Sequence, residues 1–201
     1  PPPLPWRARL RILVEVLRAL THLHATSPQV LHRDVKPSNI LLGADDHAWL
    51  ADTGMAKAAA EQTPARTHLS TSVVRGTPGF VDPLITNGLQ HSTLTDGYAL
   101  GITLLTTLVA LPAVGLKAKC RQMFKQLRRP ESWLPPGVPD ATAGDWPPQL
   151  ASRLMELVVG LTCEWLEERM ALTHALAELE DLERQGSTSS AEARPAECIV
   201  C

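Results

Sequence analysis

"VLHRDVKPSNILL", residues 30–42, packs His32, Arg33, Asp34, Lys36 and Asn39 into one short polar stretch between two apolar runs. A second acid, Asp52, follows in "ADTGMAK" (51–57), 18 positions after Asp34. Between them "NILLGADDHAWLAD" (39–52) reads as two short strands around a Gly-Ala-Asp-Asp turn. Such a hairpin returns Asp52 to the side of Asn39.

Outward from this stretch the chain is mostly helical in pattern. Trp6, Leu10, Leu13, Leu17 and Leu20 recur at steps of four and three, one face of a helix over about 5–24. "ATSPQ" ends it, because Pro28 cannot continue a helix. Residues 55–80, rich in Thr, Ser and Gly, read as an ordered loop. Helices are expected at about 95–111, 117–128, 148–162 and 170–184, the third opening on "DWPPQ". Residues 97–115 carry no charge, but Pro112 interrupts them and they hold three Gly and three Thr, so a buried core helix fits better than a membrane span. The tail from 185 to 201 is small and polar and reads as disordered. The fold class is therefore mainly α with a small β-hairpin.

With 201 residues, 44% apolar and 20% charged, the chain suits one soluble domain. A net charge of -2 makes no electrostatic case for nucleic acid. Cys120, Cys163, Cys198 and Cys201 suit neither a disulfide framework nor a four-ligand zinc site, which points to a reducing compartment. The opening "PPPLPWRARL" has no signal peptide and reads as the middle of a longer chain.

Transfer of a phosphoryl group from ATP to a hydroxyl needs what residues 32–52 offer. The hydroxyl needs a proton acceptor, which Asp34 supplies. The moving phosphate needs a cation, Lys36. Mg²⁺ needs hard oxygen ligands, Asn39 and Asp52. On these residues the chain resembles the protein kinases. "HRDVKPSN" resembles their catalytic loop in its serine/threonine form, H-R-D-x-K-x-x-N, and "ADTG" stands where the family has D-F-G. "GTPGFVDP" (76–83) resembles the substrate-docking loop and the start of A-P-E. "LTDGYALGITLL" (94–105) resembles a receptor-like kinase pattern, and "LTCEWLEERMALTHALAELE" (161–180) its closing segment. "PPLPWRARLRIL" and "LVALPAVG" narrow the resemblance to receptor-like, Pelle and interleukin-receptor-associated kinases. It spans about 1–184 and covers the large, C-terminal lobe. No Gly-rich loop and no strand Lys with its helix Glu occur in the sequence, so the N-terminal lobe is absent from it.

The resemblance implies roles. Asp34 would be the catalytic base, Lys36 would neutralise phosphate charge, and Asn39 and Asp52 would bind Mg²⁺. His32 would be structural, beside the Asp52 loop. Arg33 implies regulation by a phosphate in the long loop, with Thr67, Ser70, Thr71 and Ser72 as candidate acceptors. Thr77 would face Asp34 and help choose Ser or Thr. Asp96 would accept backbone N–H bonds from residues 32–33. The chain departs from the pattern at Thr53, in place of the D-F-G Phe, and at Leu84, in place of the A-P-E Glu. That Glu would pair with Arg169, which here needs another partner or solvent. Gly97 replaces a larger helical residue.

Two functions follow. One is a partial serine/threonine kinase domain, using ATP and Mg²⁺ on a protein substrate in signal transduction, cytoplasmic or on the cytoplasmic side of a membrane, with the partial domain alone inactive. The other is a pseudokinase scaffold, which Thr53, Leu84 and the missing small lobe favour. "CIVC" (198–201) formally fits prenylation at Cys198, against its acidic surroundings. Lys117, Lys119, Arg121, Lys125, Arg128 and Arg129 form a basic run, read as a solvated helix face or a surface for an acidic partner.

Overall fold

A computed structural model describes residues 2–44, 47–58, 76–88, 90–127 and 139–188. Helix α1, Trp6–Ala25, lies where the periodicity put it, and Trp6, Leu10, Leu13, Leu17 and Leu20 are all buried. Beyond its end, Thr26 donates both its amide and its hydroxyl to the Leu23 carbonyl, satisfying an acceptor that the helix leaves open. Strand β1, Val30–Leu31, follows, and the polar stretch then runs through a 3₁₀ turn at Pro37–Asn39. Strands β2 (Ile40–Leu42) and β3 (Ala48–Leu50) form the expected antiparallel hairpin, with Ile40 opposite Leu50 and Leu42 opposite Ala48. Glu15 of α1 clamps this hairpin, accepting from the Ala48 amide at 2.6 Å and facing His47 Nδ1 at 3.0 Å.

Two elements differ from the sequence reading. Strand β4, Lys57–Ala58, lies inside the span read as loop and pairs antiparallel with β1. Two residues give no readable period, and a ladder partner 28 positions away (Val30 to Ala58) leaves no local trace. A four-residue helix α2, Pro83–Thr86, starts on Asp82, whose side chain accepts from the Leu84 amide.

Helix α3, Thr93–Val109, opens on a capping box between Ser92 and Thr95 and is buried on nearly every side. That explains why no charged residue follows Asp96 in it. Leu100, Leu104, Leu105 and Leu108 fill the core, and no helix among the described residues is long and apolar enough to cross a membrane. Helices α4 (Leu116–Leu127), α5 (Pro148–Leu161) and α6 (Leu172–Thr188) complete the body. The last runs four residues past its expected end, so residues 185–188, read as tail, are helical. α1 packs on α6, and α3 on α5. The architecture is mostly helical with two small antiparallel ladders.

The α3–α5 contact gives two glycines opposite fates. A Cβ at Gly101 would stand 2.6 Å from Thr162 Cγ2 and 3.0 Å from Leu161 Cβ. At Gly97 it would stand 3.5 Å from Leu172 Cδ2, an ordinary contact. Gly97→Ala is therefore expected to stabilise the chain by up to about 1 kcal/mol, through lower unfolded-chain entropy. Gly101→Ala is expected to cost about 1–3 kcal/mol by overpacking. Urea midpoints of the two variants test this, and shifts of the same sign would contradict it.

Candidate functional site

The structure gathers Asp34, Lys36, Asn39 and Thr77 at one end of the helical body. Asp34 is buried at 5% exposure. Its Oδ2 accepts from Lys36 Nζ at 2.6 Å and from Asn39 Nδ2 at 3.1 Å. Its Oδ1 accepts from the Thr77 hydroxyl at 2.7 Å, and that hydroxyl oxygen accepts from Lys36 Nζ at 2.6 Å. Each carboxylate oxygen has two acceptor positions. Among the described residues Oδ2 is filled, and Oδ1 keeps one position beside Thr77. Burial alone would raise the Asp34 pKa, but the bonds from Lys36, Thr77 and Asn39 outweigh it and hold the carboxyl below its ordinary value. Asp34 is a carboxylate at neutral pH.

Asn39 spends its amide nitrogen on Asp34, donating to the main-chain oxygen at 2.8 Å as well as to Oδ2. This fixes the amide's orientation and leaves its oxygen as an acceptor. The Ala51 amide donates to the Asn39 carbonyl at 2.8 Å, which places Asp52 one residue past that bond. Asp52 is exposed, with φ 62° and ψ 62° in the left-handed region, and has no hydrogen-bond partner among the described residues. An oriented amide oxygen and an open carboxylate are hard ligands that suit Mg²⁺, which keeps several waters and needs few protein groups. The described residues hold no cluster of three or more His, Cys, Asp or Glu that would favour another metal.

The loop carrying Asp34 is held from α3. Asp96, 1% exposed, accepts from the His32 amide and the Arg33 amide, each at 2.8 Å. Arg33 sits at φ 71°, a strained position for a non-glycine residue that these bonds over-determine. His32 is fully buried. Its Nε2 lies 3.1 Å from the Ala51 carbonyl and its Nδ1 accepts from the Asp34 amide at 3.3 Å, which assigns the proton to Nε2. The ring thus joins the Asp34 loop to the segment leading to Asp52. One partner escaped the sequence reading: His24, at the end of α1, meets Asp96 Oδ2 at 2.8 Å. Nothing in a helical period marks a histidine for a carboxylate 72 positions away.

Arg169 finds its partner in Asp82. The two are joined through both terminal guanidinium nitrogens, Nη1 on Oδ2 and Nη2 reaching Oδ1 at 3.4 Å, with 1% and 0% of their side chains exposed. The acid two positions before Leu84 has taken the place of the missing Glu. Tyr98 lies beneath, 5.4 Å from the guanidinium. Burial above all, and then the Asp82 charge, push its hydroxyl up to about 12. Tyr98 is the chain's one tyrosine, so absorbance at 295 nm reports it alone. The native chain is expected to titrate near 12 and the denatured chain near the ordinary 10. A raised folded pKa means stability is intact below pH 10 and falls as pH rises from 10 towards 12. A native midpoint near 10 would contradict this.

Thr53, in the D-F-G position, is exposed in a 3₁₀ turn at Thr53–Met55. Thr67, Ser70, Thr71, Ser72, Arg128, Arg129, Cys198 and Cys201 lie outside the described residues, as does the Lys125 side chain.

A helical body that presents an acid braced by a lysine and a hydroxyl, with an amide and second acid returned by a hairpin, is of the protein-kinase class. A family model described as the protein kinase domain matches residues 4–179, and the chain belongs to that family. A probable LRR receptor-like serine/threonine-protein kinase of Arabidopsis thaliana is 30% identical over 184 residues, covering 90% of this chain and 19% of its own. U-box domain-containing protein 51 from the same plant is 33% identical over 171 residues, 84% of this chain and 21% of its own. A second probable LRR receptor-like kinase reaches 45% over 105 residues, 51% of this chain and 12% of its own. The likeness is to receptor-like serine/threonine kinases, and the chain spans about a fifth or less of these relatives' lengths.

Proposed function

We propose that residues 1–184 are the large lobe of a serine/threonine protein kinase that moves the γ-phosphate of ATP to Ser or Thr hydroxyls of a protein, in signalling on the cytoplasmic side. The observation that carries this is the Asp34 network. The acceptor position left on Oδ1 among the described residues lies beside Thr77. An incoming hydroxyl would donate there. As its oxygen bonds to phosphorus, its proton passes to Asp34, and the bond to the leaving nucleotide diphosphate breaks. Because Asp34 is a weak base, it orients the hydroxyl first and takes the proton late. Lys36 offsets charge on the moving group from its place between Asp34 and Thr77. Asn39 and Asp52 would hold Mg²⁺, which when bound neutralises phosphate charge.

The test is transfer to a generic protein substrate by the complete protein and its Asp34→Asn variant. Transfer that survives the change sinks the enzyme reading. The exposed Thr53 favours a second reading, a scaffold without transfer, which predicts an inert parent as well.

A further inference from the structure

The two cysteines among the described residues face one cavity. Cys120 on α4 and Cys163 just past the end of α5 both line a space of about 180 Å³ between α3, α4 and α5. Leu105, Met155 and Val158 give it apolar walls. Helix α4 meets the segment after α5 at two points. Lys117 Nζ donates to the Thr162 carbonyl at 2.5 Å, and Arg121 Nη1 donates to Glu164 Oε1 at 2.5 Å. Lys117, Cys120 and Arg121 stand three and four positions along the helix and share one face of α4. Cys163 lies between the two residues that this face holds. The two clamps therefore set both thiols on the walls of the same cavity.

The two thiols differ in access. Cys120 is 7% exposed and has no hydrogen-bond partner among the described residues. Burial holds its thiol above the ordinary pKa, so on its own it is a poor nucleophile. Cys163 is half-buried, and its thiol donates to Glu168 Oε2 at 3.8 Å. Lys117, Arg121 and Glu164 also line the cavity, so two cations there stand against two acids and neither sign prevails. Cys163 is the thiol that a small molecule reaches first, and Cys120 is the one held inside.

We infer that Cys120 and Cys163 are a redox-active pair that a small uncharged hydroperoxide converts to a disulfide, tying α4 to the end of α5. Cys163 gives its proton to Glu168, and its sulfur attacks one peroxide oxygen. The O–O bond breaks, the sulfur becomes a sulfenic acid, and the leaving hydroxide takes the proton back as water. The Cys120 sulfur then attacks the Cys163 sulfur. The S–O bond breaks, and the hydroxyl leaves as a second water with the Cys120 proton. Two electrons pass from the two thiols to the peroxide. A disulfide holds its Cα atoms about 4.4–6.8 Å apart, and the cavity gives α4 room to close to that distance. In a reducing compartment such a bond is transient, as a sensor requires. The pair is independent of phosphoryl transfer.

The experiment uses the full chain carrying Cys198→Ser and Cys201→Ser, which leaves these two thiols alone. Hydrogen peroxide is added to the reduced, folded protein. Intact mass is read, and then peptides digested without reductant. The expected result is a loss of about 2 Da per chain, the two thiol hydrogens. One peptide pair joins Cys120 to Cys163, and dithiothreitol restores both thiols. Cys120→Ala is expected to yield oxygen adducts on Cys163, a gain of about 16 or 32 Da. Cys163→Ala is expected to leave Cys120 reduced at least about tenfold longer than Cys163 survives in the first variant. In glutathione buffers the crosslink is expected to withstand about tenfold more reductant in the folded chain than in urea. Amides of α4 are expected to exchange more slowly once the pair is oxidised. Oxygen adducts on the parent without the crosslink would overturn the inference. So would a crosslink between two chains, one no more resistant folded than in urea, or α4 amides that exchange equally fast in both states.

Discussion

Asp34→Asn is expected to lower transfer by the complete protein about 10²–10⁴-fold, the range for loss of a positioned general base. The substitution keeps the side-chain shape, so Thr77, Lys36 and Asn39 retain a neighbour of the same size. What it removes is the charge. Lys36 loses its counter-ion 2.6 Å away, and the position on Oδ1 that would take the hydroxyl's proton loses its basicity. Nucleotide binding is expected to persist, since the Asn39 oxygen and the Asp52 carboxylate are untouched. The pair of measurements matters more than either one. Lost transfer with retained Mg·ATP binding locates the defect at proton acceptance. Loss of both would say that the loop had collapsed, and the variant would then report folding and not chemistry.

Arg169→Met is expected to destabilise the chain by about 3–5 kcal/mol, because it strands a buried carboxylate. Asp82 has no exposed side-chain surface, and Arg169 also donates to the Cys163 carbonyl at 3.0 Å. The double change Asp82→Leu with Arg169→Met is expected to recover most of that loss. It leaves the cost of the helix α2 cap, about 1 kcal/mol, since the Leu84 amide loses its acceptor. Urea midpoints of the two proteins check both statements. A loss below about 1 kcal/mol in the single variant would show that water reaches Asp82.

The long elements were legible because their signal is local. Leu10, Leu13 and Leu17 report a buried helix face from within one segment, and the hairpin is announced by its turn. The residues of the Asp34 loop were legible by their density. The two pairings that shape the site were not. Asp82 reaches Arg169 across 87 positions and His24 reaches Asp96 across 72. A single acid in "FVDPLI" looks like a helix cap, which it also is, and nothing nearby says that its other oxygen neutralises a guanidinium. Departures from the family pattern, Leu84 above all, raised the right question about Arg169 without naming the residue that answers it. Strand β4 was hidden by its length.

Asp96 stands in the first turn of the most buried helix, and its two oxygens hold the amides of His32 and Arg33. Those two amides belong to a loop by sequence, yet they have no way to meet solvent deuterium unless the α3 terminus lets go. Their exchange is expected to be as slow as that of the α3 core and to share its denaturant dependence. The loop that carries Asp34 is in that sense part of the slowest-opening unit of the fold, and motion beside it must come from the elements around it.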